Sequence, residues 1–425
     1  MIKLDMMALL KELLPFRRDI VSTGISQALN ILSEKLPLQI EKFPSGSEAW
    51  TWIIPPKWEV DRAWVKAQGH TIIDLQDHPL HVMSYSQSID RVVDHKELLA
   101  HVHTRPDLPS AVPFEYSYYR PDWGFCLQHE RLGELCYDQY EVLIDSHFSD
   151  GNLEVGVMHL PGESAQEILL SAHLCHPFMA NDDLSGVVVL AAVADWLAQL
   201  ENRRYSYRFL LGPETIGSLA YLSSHEDLIP SIRLGLFLEM LGHEDMFSLQ
   251  ASRQGDSMMD KALWLALKAT GKDFRQGGFR QVVRNDEGVI NGPGVDIPCP
   301  SLSRAAPWSE GGYPFPEYHS SLDKLEIINQ VRLEEARDIV IAALKLIETN
   351  YTPRRKFKGP VFLSRYELWV DWRENRELND KCEQIMHLLD GDLDLIDIAY
   401  KLELDFNVLK DWLDRFLQHG LIEVL

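Results

Sequence analysis

The sequence predicts an α/β protein: a three-layer domain on a mostly parallel sheet, an inserted β-rich domain and a C-terminal winged-helix unit. Three observations carry that expectation. Between residues 167 and 349, short apolar strand patterns alternate with helical ones, the pattern of a parallel sheet covered on both faces. Between residues 49 and 160, helical spacing gives way to short β-branched and aromatic runs cut by prolines. After Thr352-Pro353-Arg354-Arg355, three amphipathic helical patterns precede a short strand-like tail, and helix-turn-helix with a terminal strand suggests a winged helix.

Taken in order, apolar residues recur at helical spacing through residues 2–36 (Leu9, Leu10, Leu13, Leu14; Ile25, Leu29, Ile31, Leu32). Pro15 and the Ser22-Thr23-Gly24 turn divide them into two helices. Strand-like runs follow at 51–54, 71–75, 140–144 and 153–157. The alternating part predicts strands at 168–172, 207–211, 234–241 and 297–303, and helices at 187–200, 218–225, 258–269 and 333–349. The opening helices need a partner to pack on, so the β-rich part reads as an insertion. The expected division is 1–48 with 163–352 for the α/β domain, 49–162 for the insertion and 353–425 for the winged helix.

Length and charge narrow the function. With 425 residues, the chain has room for two or three domains at about 150 residues each. Lys and Arg number 41 against 64 Asp and Glu, a net charge of −23, and such a field repels phosphate backbones and anionic lipid. Nucleic acid is not an expected partner, and the tail agrees: residues 371–425 carry 6 basic and 14 acidic side chains. Five scattered cysteines without a C-x-x-C pair read as reduced thiols of a cytoplasmic protein. Lys3, Asp5, Lys11 and Glu12 break any signal-peptide core, and no apolar run reaches the ~20 residues of a membrane span.

Four places carry chemistry, each at a strand end or in the loop after it, where α/β folds build sites. The first holds His173, Cys175 and His176, then Asp182 and Asp183 ahead of a helix. Imidazoles with a carboxylate suit a borderline divalent ion such as zinc. The second is Gly212-Pro213-Glu214, and the third is Glu239, closing an apolar strand; burying that carboxylate is costly unless it is paired or metal-bound. The fourth is Glu317-Tyr318-His319-Ser320-Ser321-Leu322-Asp323, with Asp323 placed to orient His319 from behind.

This order of motifs resembles the zinc aminopeptidase superfamily. "CHPFMANDDLSG", "SYYRPDWGFC", "GPETIGS" and "PEYHSSLD" are closer still to bacterial aminopeptidase-like proteins often named with polysaccharide biosynthesis. The resemblance covers nearly the whole chain and implies the peptidase-like domain, the insertion and the winged helix together.

Carried over residue by residue, the resemblance implies Asp182 as the bridging ligand, His319 as the last ligand and Glu239 where the superfamily has Asp. His173 fits the strand-end "AH", whereas His176 fits the Cys-His-Pro of the closer family; His176 is preferred and His173 is the alternative. Pro213-Glu214 stands where the superfamily has two glutamates, so Glu214 serves either as general base or as ligand, with the base preferred. Zinc, one ion or two, is the implied cofactor. Tyr318 and Arg304 are expected oxyanion donors. The implied activity is hydrolysis of an amide in a small peptide, aminoacyl or N-acyl substrate, and self-association is a further expectation. Two alternatives use the same fold: a non-catalytic binding or assembly protein, and transfer or cyclisation of an aminoacyl group.

Overall fold

Residues 167–173, EILLSAH, are buried along their whole length, which places that strand inside a sheet covered on both faces. The structure, a computed structural model describing residues 4–308 and 312–425, puts it there. Ile2 and Lys3 of the first predicted helix lie outside the described residues. The main sheet contains β1 (Gln39–Pro44), β2 (Asn152–Leu160), β3 (Glu167–His173), β4 (Ser206–Gly212), β5 (Ile232–Leu238), β6 (Ser248–Gln250), β7 (Arg275–Gly277) and β8 (Ser301–Ser303). Its spatial order is β1-β2-β4-β3-β5-β8-β6-β7. The middle, β4-β3-β5-β8, is parallel, while β2 is antiparallel to both β1 and β4.

Side chains alternate between two cores. Ile168, Leu170 and Ala172 of β3 join the larger one, Leu169 the other. On the larger side lie α1 (Met6–Leu13), α2 (Thr23–Lys35), α3 (Leu184–Ala198), α5 (Met258–Ala269) and α6 (Gln330–Thr349); on the other lies α4 (Ile216–Ser224). Helix α3, LSGVVVLAAVADWLA, is buried nearly all round because α1 and α6 cover the side turned from the sheet.

Several boundaries differ from the expectation for physical reasons. The strand expected at 297–303 is only Ser301–Ser303, because Pro298 and Pro300 have no N–H to donate; their carbonyls still accept from Gly235 and Phe237. The strand expected at 234–241 ends at Leu238, and Met240 turns into the left-handed region at φ 51°. Strand β1 was not expected: as an edge strand it buries only Phe43 and shows no clean alternation.

The insertion also needs a correction. Residues 57–67, 70–74, 89–94 and 139–149 form a separate antiparallel sheet, but β2, expected within the 49–162 insertion, pairs into the main sheet. At the far end, α7 (Arg376–His387), α8 (Leu395–Leu402) and α9 (Phe406–Gln418) are followed by residues 422–424, which pair antiparallel with residues 353–355. Helix α8 docks on α5, with Lys261 Nζ 2.6 Å from Asp397 Oδ1 and the Trp264 and Tyr400 rings edge to face at 4.9 Å. No described helix is long and apolar enough to cross a membrane, and all five cysteines are free.

Candidate functional site

The strand order fixes where chemistry can gather. From β3 the chain crosses to β4 on one side and then to β5 on the other, so the loops after these strands diverge and leave a crevice at their carboxyl ends. His173 ends β3, Glu214 follows β4 and Glu239 follows β5.

Asp182 sits at the centre, 1% exposed. Its Oδ1 lies 3.2 Å from His173 Nε2 and 3.4 Å from His176 Nδ1, and its Oδ2 lies 3.1 Å from His319 Nε2. Glu239 Oε2 is 3.7 Å from His173 Nε2, and Glu214 Oε2 is 3.3 Å from His176 Nε2. Two sets of three donors therefore share Asp182: His176, Asp182 and His319, and His173, Asp182 and Glu239, each with its atoms within 4.8 Å of one another. Both histidines weighed as alternatives reach the cluster.

Close as these atoms are, His173 Nε2, His176 Nδ1, Asp182 Oδ2, Glu239 Oε1 and His319 Nε2 are buried without a hydrogen bond. Buried polar atoms are normally satisfied, so four unsatisfied ones around the Asp182 carboxylate, itself short of a partner at Oδ2, fit a divalent cation, and imidazole with carboxylate is the donor set zinc takes. Electrostatics agree. Burial opposes charge on His173, but Asp182, Cys175 and Glu239 outweigh it and hold the imidazole well above its usual range. His176 behaves alike, and despite burial the three imidazoles hold Asp182 well below the usual carboxylate range. Burial pushes Glu239 up to about 8, with His173 pulling against it, as expected for a carboxylate short of positive charge.

Glu214 differs in being open, its side chain 28% exposed. Burial would raise its pKa, but His176 and then His173 outweigh it and keep it below the usual value. Its N–H donates to Cys175 Sγ at 3.2 Å, and that sulfur stands 3.8 Å from His173 Nδ1, behind the ring.

The surrounding loops are tied down by groups the motifs only partly foretold. Asp183 caps α3 by accepting from the Gly186 N–H at 2.9 Å, and its Oδ1 also accepts from Met240 N–H at 2.8 Å, beside Glu239. Asp323 accepts from the N–H groups of Ala180, Asn181 and Asp182 at 3.2, 2.7 and 3.0 Å. This corrects its expected place behind His319: it steadies Asp182 instead. Arg304 is corrected too. It is 3% exposed, donates to Glu335 at 2.7 Å and to the Asp245 carbonyl at 2.6 Å, and is committed away from the cluster. Tyr318 does reach the site, its ring stacked on His319 at 3.9 Å; burial, then Asp182 and Glu214, push its hydroxyl pKa well up and keep it a donor.

Sequence reasoning missed four residues. Arg18, 0% exposed, donates to the carbonyls of Leu174, His176 and Met179 at 2.9, 2.8 and 3.0 Å, bracing the loop between β3 and Asp182. Asn285 donates its amide to Glu239 Oε2. Phe114 stands edge-on to His176 and His319 at 5.5 and 5.4 Å, and its N–H donates to the His319 carbonyl at 2.9 Å. Arg105 donates to the carbonyls of Tyr318 and Pro316 at 2.5 and 3.2 Å. The last two come from the β-rich part, which thus forms one wall of the site. None of the four has a local signal for its role here, because the site residue each one meets is distant in sequence.

Comparison with known proteins places this architecture. A family described as a domain of unknown function, DUF4910, matches residues 7–350. A Clostridium acetobutylicum protein named for polysaccharide biosynthesis and an aminopeptidase-like domain is 32% identical, covering 98% of this chain and 95% of its own. A crystal structure of a Clostridium acetobutylicum protein named as a peptidase superposes with a TM-score of 0.85 at 31% identity, over 99% of this chain and 96% of that one. A zinc aminopeptidase from Bacillus subtilis shares the fold at a TM-score of 0.59 and 16% identity, over 82% of this chain and 96% of that one.

Proposed function

The chain belongs to the DUF4910 family, and from that premise we propose that it is a zinc-dependent hydrolase of an amide bond, of aminopeptidase type. The observation that carries the reading is the set of five unsatisfied buried donor atoms that Asp182 and its four neighbours bring together. In this proposal His173, Asp182 and Glu239 hold one ion, and His176, Asp182 and His319 form the place for a second. His176 then does the work of the carboxylate lost at Pro213. When bound, zinc supplies Lewis acidity and a water whose pKa falls toward ~7.

Glu214 is the general base. Its depressed pKa keeps it ionised at neutral pH, it faces the open side of the cluster, and it takes the water proton and returns it to the leaving amine. Tyr318, protonated and beside His319, donates to the oxyanion. Phe114 excludes water from one side of the two imidazoles. The substrate is a small peptide, aminoacyl or N-acyl compound, the setting is cytoplasmic, and residues 353–425 form a winged-helix unit.

Protein purified without chelator is to be assayed for zinc and for turnover of aminoacyl-anilides, with Glu214→Gln beside wild type. Retained zinc with activity lost in Glu214→Gln is the expected result. Wild type that binds no zinc and turns over no anilide would overturn the proposal in favour of a binding or assembly role.

A further inference from the structure

A second cleft adjoins the cluster. It has a volume of about 320 Å³ and is walled by Trp50, Trp52, Thr215, Arg280, Arg284 and Asn285. Two of these residues join it to the site: Thr215 follows Glu214, and Asn285 donates to Glu239. The cleft is thus bordered by residues next to Glu214 and Glu239.

The cleft reverses the charge of its surroundings. In a chain of net charge −23, two arginines share this wall, and only one faces a carboxylate. Arg280 Nη1 is 3.7 Å from the buried Glu287. Its guanidinium crosses Gly288 so closely that a Cβ there would meet Nη1 at 1.7 Å. Arg284 donates Nε–H to the Arg280 carbonyl at 3.2 Å and pairs with no carboxylate among the described residues. The cleft's lining also includes aromatic rings with partners of their own. The Trp50 indole N–H donates to Glu226 at 2.5 Å, and Trp52 packs edge-on to Tyr119 at 6.3 Å, whose hydroxyl donates to the Ile53 carbonyl at 2.9 Å. A guanidinium fork sharing a cleft with flat rings suits a carboxylate on a short apolar stem.

We propose that this cleft is a specificity subsite for a carboxylate-bearing substrate, an acidic aminoacyl residue, with Arg284 as the residue that selects it. The inference rests on the hydrolase reading for its reaction but not for its binding. The test uses the full-length zinc-loaded protein with glutamyl-, leucyl- and lysyl-p-nitroanilide, and calorimetric titration of the same protein with L-glutamate and L-leucine. Wild type is expected to favour the glutamyl probe. Arg284→Ala should lose roughly 10-fold in kcat/KM for it, the worth of about one charge-assisted hydrogen bond, mostly through KM. Zinc content and leucyl turnover should stay unchanged. Arg284→Glu should shift the preference to the lysyl probe.

If no anilide is turned over, the hydrolase reading fails and the titration decides the subsite. Tighter binding of glutamate than leucine, lost in Arg284→Ala, upholds it. Equal binding of the two, or no binding of either, overturns it, as does turnover without acidic preference.

Discussion

Arg18 is a buried group that braces the cluster's loop, and replacing it gives a quantitative test. Its guanidinium is sealed from water, and burial lowers its pKa only to about 10, with Cys175 and Asp323 pulling the other way, so it stays charged at neutral pH. It serves the carbonyls of Leu174, His176, Met179 and Leu13. In Arg18→Met the stem keeps much of its volume, but these carbonyls lose their donor. An unsatisfied buried group costs about 1–3 kcal/mol. Relief from burying a charge offsets part of the total, so a net loss of about 3 kcal/mol is expected. For the zinc proposed above, loosening the loop should weaken binding by about 10–100-fold, as is typical of groups that orient metal ligands. Denaturant unfolding reads the first quantity, and competition with a zinc chelator reads the second. Wild-type values for both would refute the idea that Arg18 braces the site.

Three further outcomes follow from the same geometry. Asp182→Asn removes the charge shared by three imidazoles and should leave the dialysed protein nearly free of zinc by atomic absorption; a full complement would dismiss Asp182 as the shared ligand. Gly24→Ala should destabilise by about 1–3 kcal/mol through overpacking, because its Cβ would lie 1.9 Å from the Arg17 carbonyl oxygen, and an unchanged midpoint in urea would contradict that contact. Burial tends to raise the pKa of Glu335, yet Lys272, Arg332 and Arg304 overcome it and bring the value to about 2. Its folded pKa is thus depressed, so its contribution to stability is present above the ordinary carboxylate range and fades as pH falls from about 4.5 toward 2. Melting curves of wild type and Glu335→Gln should therefore differ most at pH 6 and draw together as pH falls toward 2, and a difference that stays constant from pH 6 to pH 2.5 would be the contrary result.

Much of the site was legible because strand ends and helix starts leave local marks. An apolar run ending in His, or in a lone Glu, announces both the strand and the loop beyond it, and this made candidates of His173, His176, Glu214 and Glu239, while Asp182 stood out ahead of a helix and His319 in a loop after Pro314 and Pro316. Asp323 was visible as an acid near His319 but was given the wrong neighbour: its three N–H donors lie more than 140 positions away, and no spacing rule reaches that far. Arg304 misled for the same reason, its charge being met by Glu335 on a helix beyond the strand.

Hydrophobic period, turn residues and the order of chemical groups were thus enough to determine the layered α/β architecture and the residue types of the cluster, since these depend on contacts within a few residues. Only the tertiary structure decided that both histidines meet Asp182, that Arg18 and Asn285 serve the site and that the β-rich part supplies Phe114 and Arg105 to its wall. Those outcomes depend on which strand lies beside which and on how far a side chain reaches across a crevice. Both are set by packing the whole chain at once.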